Sequence, residues 1–293
     1  MIVVKIFGGL GNQLFQYALG RRLAFERNTE LYFDTSTYNK SLDSSFTKRD
    51  FELCIFNIKG KIADDAILSQ FSQSKFNKLI NEFLVRSPFI KSANYLREPY
   101  FQFYDKAINV GKQVYLNGYW QSDKYFSSIR NQLLSELNPV SGLSTESQSI
   151  LEDIKLHNSV SVHIRRGDYI NSTNQSIYHV CSLEYYRKAV DCICSKVADP
   201  KFYIFSDDVE WVKSNLKFNH HIQFIEHNKG KNSYQDLILM SKCKHNIIAN
   251  SSFSWWGAWL NQHENKIVIA PEKWFKDDKK QTKDLICEKW ITL

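Results

Sequence analysis

The back half of the chain alternates short apolar runs with amphipathic stretches, and this rhythm constrains the fold more than any single motif. Val160–Ile164, Phe202–Phe205, Ile222–Ile225, Asn246–Ala249 and Ile267–Ala270 have the length and β-branched content of buried strands. Between them, Leu183–Val197, Val209–Leu216, Ser233–Ser241 and Trp255–Gln262 carry helical spacing. Strands separated by helix-length connections predict an α/β fold, a doubly wound parallel sheet with helices on both faces. The front half opens the same way, with a strand at Ile2–Phe7, a Gly-rich turn GGLGN and helical spacing over Gln13–Glu26. A short strand at Leu31–Phe33 follows, ended by Asp34. The pattern blurs over Tyr38–Lys112, then resumes as a strand at Val114–Trp120 and a helix at Lys124–Leu137. Asn138–Gln148 combines Pro139, Gly142 and four Ser/Thr, which reads as a linker. The expected division is therefore into domains 1–142 and 143–293.

With 293 residues the chain is long enough for two such halves. At 43% hydrophobic and 24% charged it has globular rather than disordered composition. No apolar run approaches the ~20 residues of a membrane span. The start MIVVKIF lacks the charged region and cleavage site of a signal peptide, so a cytoplasmic location is expected. The six cysteines include no CxxC pair, which favours reduced thiols buried as small hydrophobes over zinc or disulfides. A net charge of +7 favours anionic partners: phosphates, nucleotides, nucleic acid or an anionic membrane surface. Without a recognisable binding motif, nucleic acid is not expected among them.

In an open α/β sheet, ligands bind outside the carboxyl ends of the strands, and the unusual residues gather there. Val160–Ile164 runs into Arg165-Arg166-Gly167-Asp168-Tyr169, and Phe202–Phe205 into Ser206-Asp207-Asp208. Asn246–Ala249 runs into Asn250-Ser251-Ser252-Phe253-Ser254 and then Trp255-Trp256, and the last strand into Pro271-Glu272-Lys273-Trp274. An arginine pair directly after a buried strand needs partners, and its planar forks suit a phosphate. Asp207 and Asp208 allow two readings: one caps the following helix, or one accepts hydrogen bonds from a base such as guanine. Ser252 or Ser254 reads either as a helix cap or as part of a phosphate cradle with the helix-start N–H groups. Trp255 and Trp256 read as core. The glycines Gly9 and Gly11 resemble a dinucleotide fingerprint, but Leu14 stands where the third small residue belongs. They fit equally a packing turn or a ligand loop with the Asn12 amide as donor. There is no DxD, HExxH, P-loop or GxSxG. A diphosphate held without a metal needs arginines to carry its charge.

The segments GGLGNQLFQYALGRRLA, GYWQSDKYF, VHIRRGDYI, FSDD and NSSFSWWGAWL resemble the bacterial branch of the α-1,2-fucosyltransferase family. The resemblance runs from residue 8 to the P-x-x-W at Pro271–Trp274. It implies two Rossmann-like domains facing across a cleft (GT-B type), the first on the acceptor side and the second binding GDP-fucose. It implies inverting transfer of fucose from GDP-β-L-fucose to a galactose 2-hydroxyl, with no metal or other cofactor. Arg165 and Arg166 would grip the diphosphate, and His163 and Asp207 would read guanine. Ser252, Phe253 and Ser254 would close over the nucleotide, and Asn12 would reach the phosphate or fucose. Gly9, Gly11, Gln13, Asp168, Ser206 and Ser251 complete the expected donor-binding set. The general base stays unassigned: Asp168 reads better as a partner orienting an arginine, and Asp34 and Glu30 are further candidates. The acceptor would be a galactose-terminated glycan, in O-antigen or other surface-glycan synthesis. If it is lipid-linked, peripheral contact with the inner face of the plasma membrane is expected, with the basic-apolar stretch Lys75–Lys91 as its candidate. Two alternatives compete: a nicotinamide-dependent oxidoreductase using the first-strand glycines, and a non-catalytic carbohydrate-binding protein using the 14% aromatic content.

Overall fold

A computed structural model of the chain describes residues 1–39, 49–71, 94–167, 179–217, 220–277 and 281–293. The chain forms two units. Unit 1 comprises Met1–Ser141 together with Lys283–Leu285, and unit 2 comprises Gly142–Thr282 with Ile286–Leu293.

Unit 1 is built on a parallel sheet of order β3-β2-β1-β5-β4. Its strands are β1 (Ile2–Lys5), β2 (Leu31–Asp34), β3 (Lys61–Ile62), β4 (Tyr95–Arg97) and β5 (Val114–Asn117). The short strand β1 is central and apolar because it is covered on both faces, as parallel strands are. It ends before Phe7, whose N–H leaves the ladder to donate to Gln16 Oε1 at 3.1 Å. Helix α1 (Leu10–Glu26) starts three residues earlier than its hydrophobic spacing predicts. Gly9 stands at its N-cap, accepting from the N–H groups of Asn12 and Gln13, and Gly8 takes φ +80° in the turn. The glycine-rich segment is thus mostly helix, with only Gly8 requiring the left-handed region. The blurred region contributes β3, β4 and a short helix α2 (Asp65–Ser69) within its described part. The helix expected over Lys124–Leu137 is broken into 3₁₀ turns at Asp123–Tyr125 and Ser127–Ile129 before α3 (Arg130–Glu136). The break falls at Phe126, whose φ of −147° is not helical.

Unit 2 has a parallel six-stranded sheet of order β11-β10-β9-β6-β7-β8. Its strands are β6 (Asn158–Ile164), β7 (Pro200–Ser206), β8 (His221–Ile225), β9 (His245–Ile247), β10 (Val268–Ala270) and β11 (Ile291–Thr292). The five expected strands are all present, and the two-residue β11, too short for a pattern, is added beside β10. The helices are α4 (Thr145–Leu156), α5 (Leu183–Cys194), α6 (Val209–Asn215), α7 (Tyr234–Lys242) and α8 (Ser252–Leu260). The end of the expected linker, Thr145–Gln148, is therefore helix. Ser144 caps α4 by accepting from Ser147 N–H, so the Ser/Thr-rich run is helix-start chemistry. Val160, Val162 and Ile164 of β6 pack with Phe202, Ile204 and the α5 residues Tyr186, Ala189 and Ile193 in one apolar layer. Trp255 and Trp256 of α8 are fully buried, as expected, with ring centroids 5.2 Å apart. None of the six cysteines is paired in a disulfide, but only Cys181 and Cys243 are buried, fewer than expected.

Candidate functional site

Each sheet has one place where the strand order reverses, and that is where an open α/β sheet offers a crevice. In unit 2 the chain builds β7 and β8 on one side of β6, then returns to build β9, β10 and β11 on the other. The carboxyl ends of β6 and β9 flank that crevice, with the end of β7 beside β6.

The loop after β6 is held by the loop after β7. Arg165 Nη1 lies 3.1 Å from Asp207 Oδ2, and the Arg166 backbone N–H donates to Asp207 Oδ1 at 2.9 Å. A Cβ on Gly167 would come within 3.0 Å of Asp207 Oδ2, so glycine lets the loop close on that carboxylate. Arg166 Nε lies 3.3 Å from Asp208 Oδ2, and its guanidinium carbon sits 4.0 Å from the Trp211 ring centroid. The two arginine side chains are only 24% and 26% exposed. Two cations, two carboxylates and an indole thus form a locally neutral cluster that orients both forks.

Of the two aspartates, it is Asp208 that takes the helix-cap reading. Asp208 caps α6, accepting from Trp211 N–H at 3.4 Å, while its own N–H donates to Ser206 Oγ at 3.0 Å. Asp207 holds the arginine loop. Sequence reasoning missed Trp211, whose only signal is its place three residues after the capping Asp208, over the strand-end loops.

On the β9 side, the helix cap is Ser251, not Ser252 or Ser254. Its Oγ accepts from Phe253 N–H at 3.3 Å. Ser254 does not face outward as the nucleotide-closing role requires. It is buried, and its hydroxyl donates to the carbonyls of Ser251 at 3.3 Å and Ala249 at 3.5 Å. Ser252 and Phe253 are the half-exposed residues of that helix start. Phe253 lies 5.9 Å from the His163 ring. Burial, with the nearby Arg165 cation, pushes His163 down to about 3, so its imidazole is neutral. Its Nδ1 is buried with no hydrogen-bond partner among the described residues. Asn250 anchors the start of this loop, its amide donating to Trp274 O at 2.9 Å and to His179 O. That bond ties the NSSFSWW and P-x-x-W segments together. Asp168 lies outside the described residues.

In unit 1 the order reverses between β1 and β5. Across that point Asn12 Oδ1 accepts from Gln121 Nε2 at 2.7 Å. Gly9 and Gly11 lie at the start of α1 beside it. Gln13, expected at the donor, is instead fully buried. Its amide donates to Gly8 O and Asp50 O and accepts from Glu52 N–H, so it ties loops together. Asp34, a candidate base, is buried, yet the Tyr115 hydroxyl and Ser36 N–H more than offset that burial and hold it below the ordinary carboxylate range. The same contacts occupy the strand-end acid that a nicotinamide site uses for ribose. Glu30 is exposed and bonded to Lys61 and Tyr32. Among the described residues no group of three or more His, Cys, Asp or Glu side chains is placed to hold a metal ion. No helix among them is long and apolar enough to cross a membrane.

Residues 1–293 match the profile of glycosyl transferase family 11. An alpha-1,2-colitosyltransferase of Escherichia coli is 32% identical, covering 100% of this chain and 99% of that protein. The O-antigen biosynthesis glycosyltransferase WbnK of Escherichia coli is 34% identical, covering 98% of each. A galactoside alpha-(1,2)-fucosyltransferase 1 of Leontocebus fuscicollis is 30% identical over 50% of this chain and 42% of its own length. Among solved structures, NodZ alpha-1,6-fucosyltransferase soaked with GDP-fucose matches with a TM-score of 0.48 and 12% identity, over 88% of this chain and 92% of its own. Matched along its entire length, and by two bacterial transferases from end to end, this chain belongs to glycosyl transferase family 11.

Proposed function

We propose that the chain transfers L-fucose from GDP-β-L-fucose to the 2-hydroxyl of a terminal galactose, with inversion and without a metal, in O-antigen or other surface-glycan synthesis. The oxidoreductase and lectin alternatives fall with membership of a transferase family. One observation carries the finer reading: two largely buried guanidinium forks, oriented by Asp207, Asp208 and Trp211, at the sheet's reversal point beside the start of α8. A diphosphate supplies the anionic oxygens such forks bind bidentately, and the helix-start N–H groups add a second set of donors.

In this reading Arg165 and Arg166 bind the diphosphate, and Ser252 and Phe253 cover the nucleotide. His163 and Asp207 read guanine. An ionised carboxylate offers about four lone-pair sites, so Asp207 can still accept from a base while holding its loop. Gly9, Gly11 and Asn12 are further candidates for contact with the sugar or phosphate. The acceptor oxygen attacks the anomeric carbon as the bond to the diphosphate breaks, and the electron pair leaves with GDP. Preorganised cations stabilise that departing charge without reorganisation. Losing one such interaction costs about 3–4 kcal/mol of barrier, a hundred- to thousandfold in rate. Arg165→Ala and Arg166→Ala should each abolish most transfer and weaken GDP binding while the fold survives.

The test is GDP release from GDP-fucose with a panel of β-galactosides in EDTA. Acceptor-dependent release supports the reading and ranks the acceptors. Silence with every acceptor together with no GDP binding refutes it. A second donor, colitose, is favoured by the full-length relative that is a colitosyltransferase. Colitose lacks the 3-hydroxyl of fucose, so comparing kcat/KM for the two GDP-sugars decides between them. A lipid-linked acceptor and peripheral membrane contact belong to the same proposal, but Lys75–Lys91 lies wholly outside the described residues. Loss of vesicle binding on neutralising Lys75, Lys78, Arg86 and Lys91 would support that contact, and unchanged binding would count against it.

A further inference from the structure

Resting on the transfer reading above, we infer that the β1–β5 crevice of unit 1 is a sugar-binding site whose occupant is a galactose-type pyranose of the acceptor glycan. Every residue it uses belongs to unit 1. The crevice lies where the strand order reverses, the place at which α/β sheets take ligands. The register Val4↔Leu116, continued past both strand ends, sets Phe7 beside Tyr119. Their rings meet edge-on with centroids 4.8 Å apart, and Tyr119 is 40% exposed.

Three carboxamides accompany these rings. Asn12 and Gln16 stand one turn apart on the same side of α1, and Gln121 follows Tyr119 in the loop after β5. Gln121 Nε2 donates to Asn12 Oδ1 at 2.7 Å. That bond fixes which way the Asn12 amide points and leaves, among the described residues, Asn12 Nδ2 as an unspent donor and Gln121 Oε1 as an unspent acceptor. Gly8, at φ +80°, makes room for the amide, since a Cβ there would lie 2.7 Å from Asn12 Nδ2. Gln16 spends its Oε1 on the Phe7 N–H at 3.1 Å, while its Nε2 is buried with no hydrogen-bond partner among the described residues. A buried donor without a partner is costly, and this one sits at the end of β1 beside the Phe7 backbone. A bound hydroxyl, or the water beneath it, supplies what it lacks.

This chemistry selects a neutral sugar over a phosphate. The amides carry no charge and offer a donor next to an acceptor, which adjacent sugar hydroxyls satisfy in both senses. The cation at this end of β1, Lys5, lies 6.0 Å from the Phe7 centroid and is balanced by the Asp34 carboxylate. An aromatic face is negative and attracts polarised C–H bonds. The axial 4-hydroxyl of galactose leaves the C–H bonds of carbons 3, 4 and 5 together on one side of the ring, a patch shaped for such a face. Glucose, with its 4-hydroxyl equatorial, divides that patch between two sides.

The test is saturation-transfer NMR of the full chain with methyl β-D-galactoside and methyl β-D-glucoside, with and without GDP, with circular dichroism as the fold control. Wild type should bind the galactoside with the strongest transfer at protons 3, 4 and 5, and the glucoside several-fold more weakly. Tyr119→Ala should lose about tenfold in galactoside affinity, and Tyr119→Phe, which keeps the ring, almost none. Gln121→Ala should lose about fivefold. Gln121→Glu should lose at least as much, because a carboxylate only accepts and so turns the Asn12 amide around. A galactoside that binds neither with nor without GDP would overturn the site. So would equal affinity for the glucoside, displacement of the galactoside by inorganic phosphate, or folded Tyr119→Ala and Gln121→Ala variants that bind as wild type does. Binding is read without turnover, so the two failures separate. A wild type that binds the galactoside but transfers from no GDP-sugar refutes the reaction, whereas active variants with wild-type galactoside affinity refute the site alone.

Discussion

Replacing Trp211 by leucine isolates how much of the arginine grip is made by stacking. The Arg166 guanidinium carbon lies 4.0 Å from the Trp211 ring centroid, and the side chain is about three-quarters buried. A cation over an indole face is worth about 0.5–1 kcal/mol when exposed and about 2 when desolvated. The burial here places it at about 1–2 kcal/mol. Leucine keeps the apolar contact that Trp211 makes with the core beneath it but withdraws the ring face, while Asp208 still holds Nε at 3.3 Å. At 1.4 kcal/mol per tenfold, Trp211→Leu should weaken GDP binding about five- to thirtyfold in calorimetry at fixed salt. Because the effect passes through Arg166, it should vanish in an Arg166→Ala background, the double variant binding within about 0.5 kcal/mol of Arg166→Ala alone. Additive losses, or a single variant that binds GDP as tightly as wild type, would refute the coupling.

Two further outcomes concern stability. Burial pushes the Asp236 carboxyl up to about 7, against the Asn228 amide that donates to it at 2.8 Å. Its folded pKa stands above the unfolded value of about 3.9, so its contribution is full below about 4 and lost as pH rises to 7. Asp236→Asn should therefore raise the unfolding free energy from urea titration at pH 8 by up to about 4 kcal/mol for three pH units, and leave it nearly unchanged at pH 4. A difference equal at both pH values would contradict the burial argument. In α1, a Cβ on Gly20 would sit 2.4 Å from Val4 Cγ2 and 2.9 Å from Leu31 Cδ1. Overpacking costs about 1–3 kcal/mol and the helix gains about 1 from alanine, so Gly20→Ala should lower the melting temperature, and a stabilised variant would refute the contact.

Unit 2 was legible because its strands are buried on both faces and read as unbroken apolar runs, from Val160–Ile164 to Val268–Ala270. Unit 1 was legible only in part: β1, α1, β2 and β5 stand where expected, but β3 and β4, two and three residues within the blurred Tyr38–Lys112, carry no pattern of their own. The linker expected over Asn138–Gln148 runs into a helix at Thr145, because linkers and helix starts use the same Ser/Thr residues. In the site, the arginine pair and the aspartate pair stood out by position after strands. What could not be read was which carboxylate faces which guanidinium, or that Trp211 completes the set, since those depend on register between β6 and β7.

Neither half of this chain can be lifted out as one continuous piece. After nearly the whole of unit 2 has been built, Lys283–Leu285 return to unit 1. There Asp284 accepts from Phe103 N–H at 3.1 Å and Lys124 Nζ at 2.6 Å, and Leu285 is buried. A graft that exchanges residues 1–141 for a relative's would therefore leave a native tripeptide facing foreign partners. Grafts meant to keep their fold must carry residues 283–285 with the front half, and those that omit them should lose stability before they reveal anything about specificity.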